Sequence, residues 1–143
     1  EGRGIVVVKP GEVLPDARLY TIYQKPKNEY RIHVMAEKVN RQGDFRAIDW
    51  TRKARKLVNG VAPPHGHIRN HGNGYIFAKN GTPPSDAVIN ASLYAVIALD
   101  LHFGAVDVLQ LPNGKAMVLE VNTAPGIEGR TVEAYVKGFQ DMV

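Results

Sequence analysis

The chain has 143 residues, enough for one domain with a core of its own, and its 44% hydrophobic and 22% charged residues are those of a folded protein. It contains no cysteine, which excludes a disulfide framework and a thiolate metal site, and no apolar run approaches the roughly 18 residues of a membrane-spanning helix. With 18 Lys and Arg against 14 Asp and Glu, the formal charge of +4 favours anionic ligands without separating a nucleotide from a nucleic acid. The residues at the start do not make a signal peptide, so a cytosolic protein is expected.

In chain order, residues 1–10, EGRGIVVVKP, hold two glycines and then a β-branched run, Ile5 to Val8, that predicts a strand. This abrupt opening reads as the cut end of a larger fold. Gly11 to Arg18 is rich in turn residues; Leu19 to Gln24, LYTIYQ, predicts a second strand, and KPKN after it a hinge. Glu29 to Met35 alternates Glu29, Arg31 and His33 with Tyr30, Ile32 and Val34, the two-residue period of a half-buried strand. Lys38 to Gly43 predicts a hairpin turn leading to a strand from Phe45 to Trp50. The basic run that follows, Thr51 to Lys56 with Arg52, Lys53, Arg55 and Lys56, reads as a solvated strand end or loop, and taken alone suggests a phosphate or nucleic-acid patch.

Val61 to Gly74, VAPPHGHIRNHGNG, is too irregular for an element. Its His65, His67 and His71 lack both zinc spacing and a fourth ligand. Tyr75 to Ala78 predicts a short strand, and Ser85 the N-cap of a helix whose apolar face is Ile89, Leu93, Val96, Ile97 and Leu101. Near the end, Thr131 is the expected cap of a second helix with Ala134, Tyr135 and Phe139 on its apolar side.

Between these helices, Gly104 to Leu111 and Ala116 to Val121 flank Pro-Asn-Gly, the pattern of a β-hairpin. If it closes near Asn113 and Gly114, Asp107 lies opposite Glu120, and Glu120 and Asn122, two apart, share one face. Asp107 interrupts the apolar run AVDVL, and a carboxylate there requires a counter-charge or a metal. Two carboxylates and an amide oxygen form an all-oxygen set suited to hard Mg²⁺ or Mn²⁺.

Asp107, Glu120 and Asn122 stand in the pattern D-(x)12-E-x-N-x-x-P-G, which resembles the metal-binding signature of the ATP-grasp ligases. The tail EVNTAPGIEG is similar to the glutamate ligases acting on ribosomal protein, to related lysine-biosynthesis enzymes and to ATP-grasp proteins of bacteriophages. The resemblance implies an α+β fold, the C-terminal portion of ATP-grasp: a mostly antiparallel sheet with two helices packed on one face, residues 28–143, plus part of the lid subdomain, residues 1–27. It also implies that an N-terminal part of the same fold is missing.

By the same resemblance Asp107, Glu120 and Asn122 hold Mg²⁺. Gly2, Arg3 and Gly4 end the phosphate loop of the lid, and Ile22, Tyr23 and Gln24 run beside the adenine. Glu29 meets the ribose, Arg31 lies on the active-site side of the sheet, and Arg52 or Lys53 reaches the phosphates of ATP. Arg69 and Asn70, with Asn73 as the alternative to Asn70, approach the transferring phosphate and the acyl substrate. The implied activity is an ATP- and Mg²⁺-dependent carboxylate–amine ligase working through an acyl phosphate, or the ATP-binding fragment of one. Its substrates would be an acid and an amine, peptides and proteins included, in a bacterial or phage-infected cell. The rival is a non-catalytic structural or nucleic-acid-binding protein that retains the fold; nucleic acid is the less expected partner.

Overall fold

The computed structural model describes residues 5–38, 44–62, 64 and 66–142. Five strands and two helices follow in the order β1 (Asn28–Ala36), β2 (Phe45–Arg55), β3 (Tyr75–Ala78), α1 (Asp86–Ala98), β4 (Phe103–Gln110), β5 (Ala116–Asn122) and α2 (Arg130–Met142). The strands form one antiparallel sheet in the order β3-β2-β1-β4-β5. The fold class is therefore α+β, as the sequence implies. No helix among the described residues is long and apolar enough to cross a membrane.

The chain divides into two compact units, Glu1–Gln24 with Ala54–Ile76 and Lys25–Lys53 with Phe77–Val143. In the first, the strands expected at 5–8 and 19–24 do not form. The reason is visible in their side chains: Ile5, Val6, Leu19 and Ile22 are exposed, and an extended segment with no ladder partner and no buried face has nothing to hold it as a strand. What order there is comes from turns. Glu12 N–H donates to Lys9 O at 3.1 Å, with Gly11 at φ +89°, and the Tyr20 hydroxyl donates to Pro15 O at 2.7 Å. The loop expected at 61–74 closes through a Val58–Val61 bridge and a single 3-10 turn, His71–Asn73. The turn expected at Lys38 to Gly43 falls mostly outside the described residues.

The second unit contains the core. Tyr30, Ile32 and Val34 on β1 and Val106 and Val108 on β4 are buried against Val88 and Val96 of α1, with Leu93, Trp50 and Val121 packed around them. Each fully buried aliphatic side chain contributes roughly 1.5–3 kcal/mol, so α1 is held by its apolar stripe and not by its N-cap: Ser85 occupies that position but makes no capping bond, and its hydroxyl accepts instead from Gln110. The stripe runs through Val88, Ser92 and Val96, which leaves Ile97, expected inside, exposed.

The two helices lie on opposite faces of the sheet, not on one. Tyr135 of α2 meets His33 and Phe103, Gly138 abuts Met35, and Thr131 bonds Asp49. His33, Met35, Phe103 and Asp49 share the face opposite to Ile32 and Val106, as the registers His33↔Asp49 and Met35↔Phe103 require. The alternation of β1 pointed to one polar face, but α2 covers the half of it that contains His33. The other half remains uncovered by α2, and it carries Glu29, Arg31 and the hairpin carboxylates.

Candidate metal and nucleotide site

The geometry of the β4–β5 hairpin decides which face its acidic residues occupy. The turn is closed by Leu111 N–H donating to Lys115 O at 2.8 Å and Gly114 N–H to Leu111 O at 3.0 Å, with Gly114 at φ +82°. From there Gln110 pairs with Ala116, Leu109 with Met117 and Val108 with Val118. Continued without a break, this register would set Leu119 against Asp107 and turn Glu120 toward the core beside Val106. The chain avoids burying that carboxylate by a bulge: Leu119 is left unpaired, and Asp107 faces Glu120, Val106 faces Val121 and Ala105 faces Asn122. One extra residue thus puts Val121 into the core and Glu120 and Asn122 beside Asp107 on the polar face. A second bulge, between His33 and Val34, brings Asp49 opposite His33 by the same device.

On the neighbouring strand Arg31 pairs in register with Asp107, and its guanidinium forks onto the carboxylate, Nε to Oδ1 at 2.6 Å and Nη2 to Oδ2 at 2.8 Å. Asp107 is 7% exposed, so this charge needs the partner that the interrupted apolar run implied. Beside it Lys53 donates to Glu29, itself buried. Phe77 of β3 lies under both cations, with the Arg31 guanidinium carbon 4.4 Å and Lys53 Nζ 5.4 Å from the ring centre. The Asn122 amide donates to Glu120 Oε1 at 3.0 Å, which leaves its own carbonyl oxygen as an acceptor. Glu29, Asp107 and Glu120 against Arg31 and Lys53 make three carboxylates to two cations. The patch therefore carries one net negative charge.

The expected basic run lies mostly inside β2, and strand alternation splits it. Lys53 shares the face of Glu29 and Arg31, whereas Arg52, paired with Tyr30, lies on the opposite face beside Gly81. Of the two candidates for reaching phosphate, only Lys53 shares a face with Asp107, Glu120 and Asn122. Burial raises the Tyr30 hydroxyl pKa and the positive charge of Arg52 partly offsets this.

The remaining expected residues belong to the first unit. Ile22 is exposed, Tyr23 packs edge-on to His67 with ring centres 4.6 Å apart, and Gln24 is half-buried. Arg69 lies over the Tyr75 ring at 5.8 Å. Asn70 is the N-cap of the 3-10 turn, its Oδ1 accepting from Asn73 N–H at 2.9 Å, while the Asn73 amide donates to Ile68 O. Both asparagines thus shape the loop, a role that the irregular sequence did not disclose. Arg3 and His65 lie outside the described residues, and among the described residues no three His, Asp or Glu side chains gather as a metal cluster.

A second polar cluster lies outside the site residues that the sequence singles out. Asp49 of β2, 9% exposed, accepts from Thr131 Oγ1 at 2.6 Å and from Arg130 Nε at 3.0 Å; Lys79 Nζ donates to Thr131 Oγ1 at 2.7 Å and to Glu128 O at 2.9 Å. Burial alone would raise the Asp49 carboxyl, but the bonds from Thr131, the Trp50 backbone and Arg130, with the Arg130 charge, hold it below the ordinary carboxylate value. Thr131, expected to cap α2, lies in its first turn and ties the helix to the sheet. The same signal that marks Asp107, a carboxylate inside an apolar run, was present in AIDW. An open depression lined by Phe77, Lys79, Glu128, Gly129 and Arg130 lies at this end of the face.

Asp107, Glu120 and Asn122 offer the oxygen donors a hard divalent cation takes, on one face and on adjacent strands, so they fit Mg²⁺ or Mn²⁺ once Arg31 yields a share of Asp107. Compared with family models and with curated proteins, the chain matches none.

Proposed function

We propose that this chain is the C-terminal part of an ATP-grasp carboxylate–amine ligase, or the ATP-binding fragment of one, acting in the cytoplasm of a bacterial or phage-infected cell. The observation that supports it is the Leu119 bulge, which sets Asp107 against Glu120 with Asn122 on the same face, next to Arg31 and Lys53. A purely structural hairpin gains nothing from two carboxylates facing each other, because like charges directly opposite are destabilising.

In this reading Asp107, Glu120 and Asn122 hold the divalent cation, which when bound neutralises charge on the phosphate oxygens of ATP. Lys53 and Arg31 supply further positive charge to the phosphates, and Glu29 meets the ribose. The carboxylate of the acid substrate attacks the γ-phosphorus and releases ADP. The amine then attacks the resulting acyl phosphate and displaces inorganic phosphate, leaving an amide. Arg69 is positioned by the resemblance to stabilise the oxyanion of that second step, and Asn70 or Asn73 to contact the transferred phosphate. The rival role on nucleic acid, which rests on the cations of 52–56, is weakened by the alternation of β2, which sets Arg52 on the face opposite to Lys53 and Arg55.

Thermal unfolding with millimolar Mg²⁺ and ATP tests the proposal. At ten times Kd, binding adds about 1.4 kcal/mol, a rise of about 4 °C for a chain of this size. The wild type should show that rise and Glu120→Gln should not, while both unfold together without ligand. Equal protection of the two forms, or of neither, would refute the reading.

A further inference from the structure

We propose that Arg31 is a guard on the cation site: it occupies both oxygens of Asp107 until a phosphate takes its guanidinium, so that the divalent cation enters with or after the nucleotide and not before. The inference rests on the ATP and Mg²⁺ reading above and adds an order of binding to it.

Three observations carry it. First, the Arg31 fork covers Oδ1 and Oδ2 of Asp107 together, at 2.6 and 2.8 Å, in the bidentate geometry that is the strongest of carboxylate partnerships. A cation placed on Asp107 would therefore meet a guanidinium already there, and be repelled by it. Without Asp107 it would have only Glu120 and Asn122, too small a set to draw water off Mg²⁺. Second, the pair is poorly hydrated: Asp107 is 7% exposed and the Arg31 side chain 19%, so solvent weakens neither the attraction nor the repulsion greatly. Third, Phe77 holds the guanidinium from below at 4.4 Å and itself remains 41% exposed, so Arg31 keeps one favourable contact while its donors change partners. Two oxygens of a terminal phosphate match the guanidinium fork as a carboxylate does and carry more charge, which is what transfers Arg31 and uncovers Asp107. Lys53, already bonded to Glu29, is the neighbouring cation on this face.

The order has a chemical benefit. A cation site that opens only to phosphate stays closed to the cell's uncomplexed Mg²⁺.

The test uses Mn²⁺ alone as probe, its unbound fraction read by electron paramagnetic resonance, on the 143-residue chain and on Arg31→Met and Arg31→Lys, each checked for native far-UV circular dichroism. Arg31→Met should bind Mn²⁺ without nucleotide at least ten-fold more tightly than the wild type. Arg31→Lys, whose ammonium is a single point donor, should fall between them and decides the matter if Arg31→Met does not fold. The gain should vanish when Asp107→Asn is added. Folded Arg31 variants with unchanged or weaker Mn²⁺ binding, in a chain whose wild type takes up Mn²⁺ together with a non-hydrolysable ATP analogue, would overturn the guard alone. A wild type that takes up no Mn²⁺ even with the analogue would overturn the guard and the ligase reading together.

Discussion

Acidification should loosen α2 before it touches the candidate site, and His33 sets the size of the effect. This histidine is 2% exposed, hydrogen-bonded through Nδ1 to the Tyr135 hydroxyl at 3.1 Å, with the two rings edge to face. Burial lowers its pKa to about 4; Asp49 and Asp107 oppose the shift and Arg31 and Lys79 reinforce it. In the unfolded chain an ordinary histidine titrates near 6.5. Below that pH the unfolded state takes up a proton that the folded state refuses, so stability falls with falling pH and stops falling below about 4. Between pH 7 and pH 5 the linkage amounts to about 2 kcal/mol. Asp49 acts in a separate window: its lowered value gives stability that is complete above the unfolded carboxylate pKa and is lost only as pH falls toward the folded one. Urea unfolding at pH 7, 6 and 5 should show a midpoint that drops by about 1 M for the wild type, at an m-value of roughly 2 kcal/mol per M. His33→Gln, which keeps a polar partner for Tyr135 but does not titrate, should lose most of that drop. An undiminished drop in the variant would show that His33 is protonated as readily in the folded protein as outside it. The Tyr135 hydroxyl, pushed up to about 12 by burial, stays neutral across the whole range.

Packing under α2 is equally open to test. A Cβ on Gly138 would meet the Sδ of Met35 and come within 3.2 Å of its Cε, and Met35 is fully buried, so Gly138→Val should cost about 2–3 kcal/mol, read by urea unfolding, and Met35→Ala should recover part of it. The two hairpin carboxylates should separate in apo stability although the proposed cation site uses both. Asp107→Asn leaves the Arg31 guanidinium facing a neutral amide in a poorly hydrated place and should cost about 2–3 kcal/mol, whereas Glu120→Gln on the exposed edge strand should stay within about 0.5 kcal/mol. Equal costs in thermal unfolding without metal would mean that Arg31 does not depend on Asp107.

Sheet, hairpin and helices were legible because their signals are local. The alternation of Glu29 to Met35 and the Pro-Asn-Gly turn each act within a few residues, and the structure carries both. What was not legible depends on which strand lies beside which. That α2 covers His33 follows from β1 sitting between β2 and β4, an order that no local pattern states. The failed strands at 5–8 and 19–24 make the converse point: β-branched residues fit a pleated surface, and among the described residues no strand pairs with them.

The candidate site divides along the same line. A hairpin closing near Asn113 and Gly114 sets Asp107 opposite Glu120, yet the hydrogen bonds close one register away, and the pairing is recovered only by leaving Leu119 out. The sequence preference behind that bulge is the cost of the alternative, a carboxylate beside Val106 and a leucine on the polar face. The observed turn, continued without the bulge, would pair Asp107 with Leu119, so the expected pairing stands through the bulge and not through the turn. Arg31 shows the limit more sharply. Its place on the polar face was readable from alternation, but its lock on Asp107 needed the register Arg31↔Asp107 between strands 76 residues apart in the chain. Arg31, which the resemblance places on the active-site side of the sheet and which we propose takes phosphate, is in the structure the counter-ion of the carboxylate proposed to hold the cation. The two roles are compatible only if Arg31 moves, and that motion is what the Mn²⁺ measurement detects.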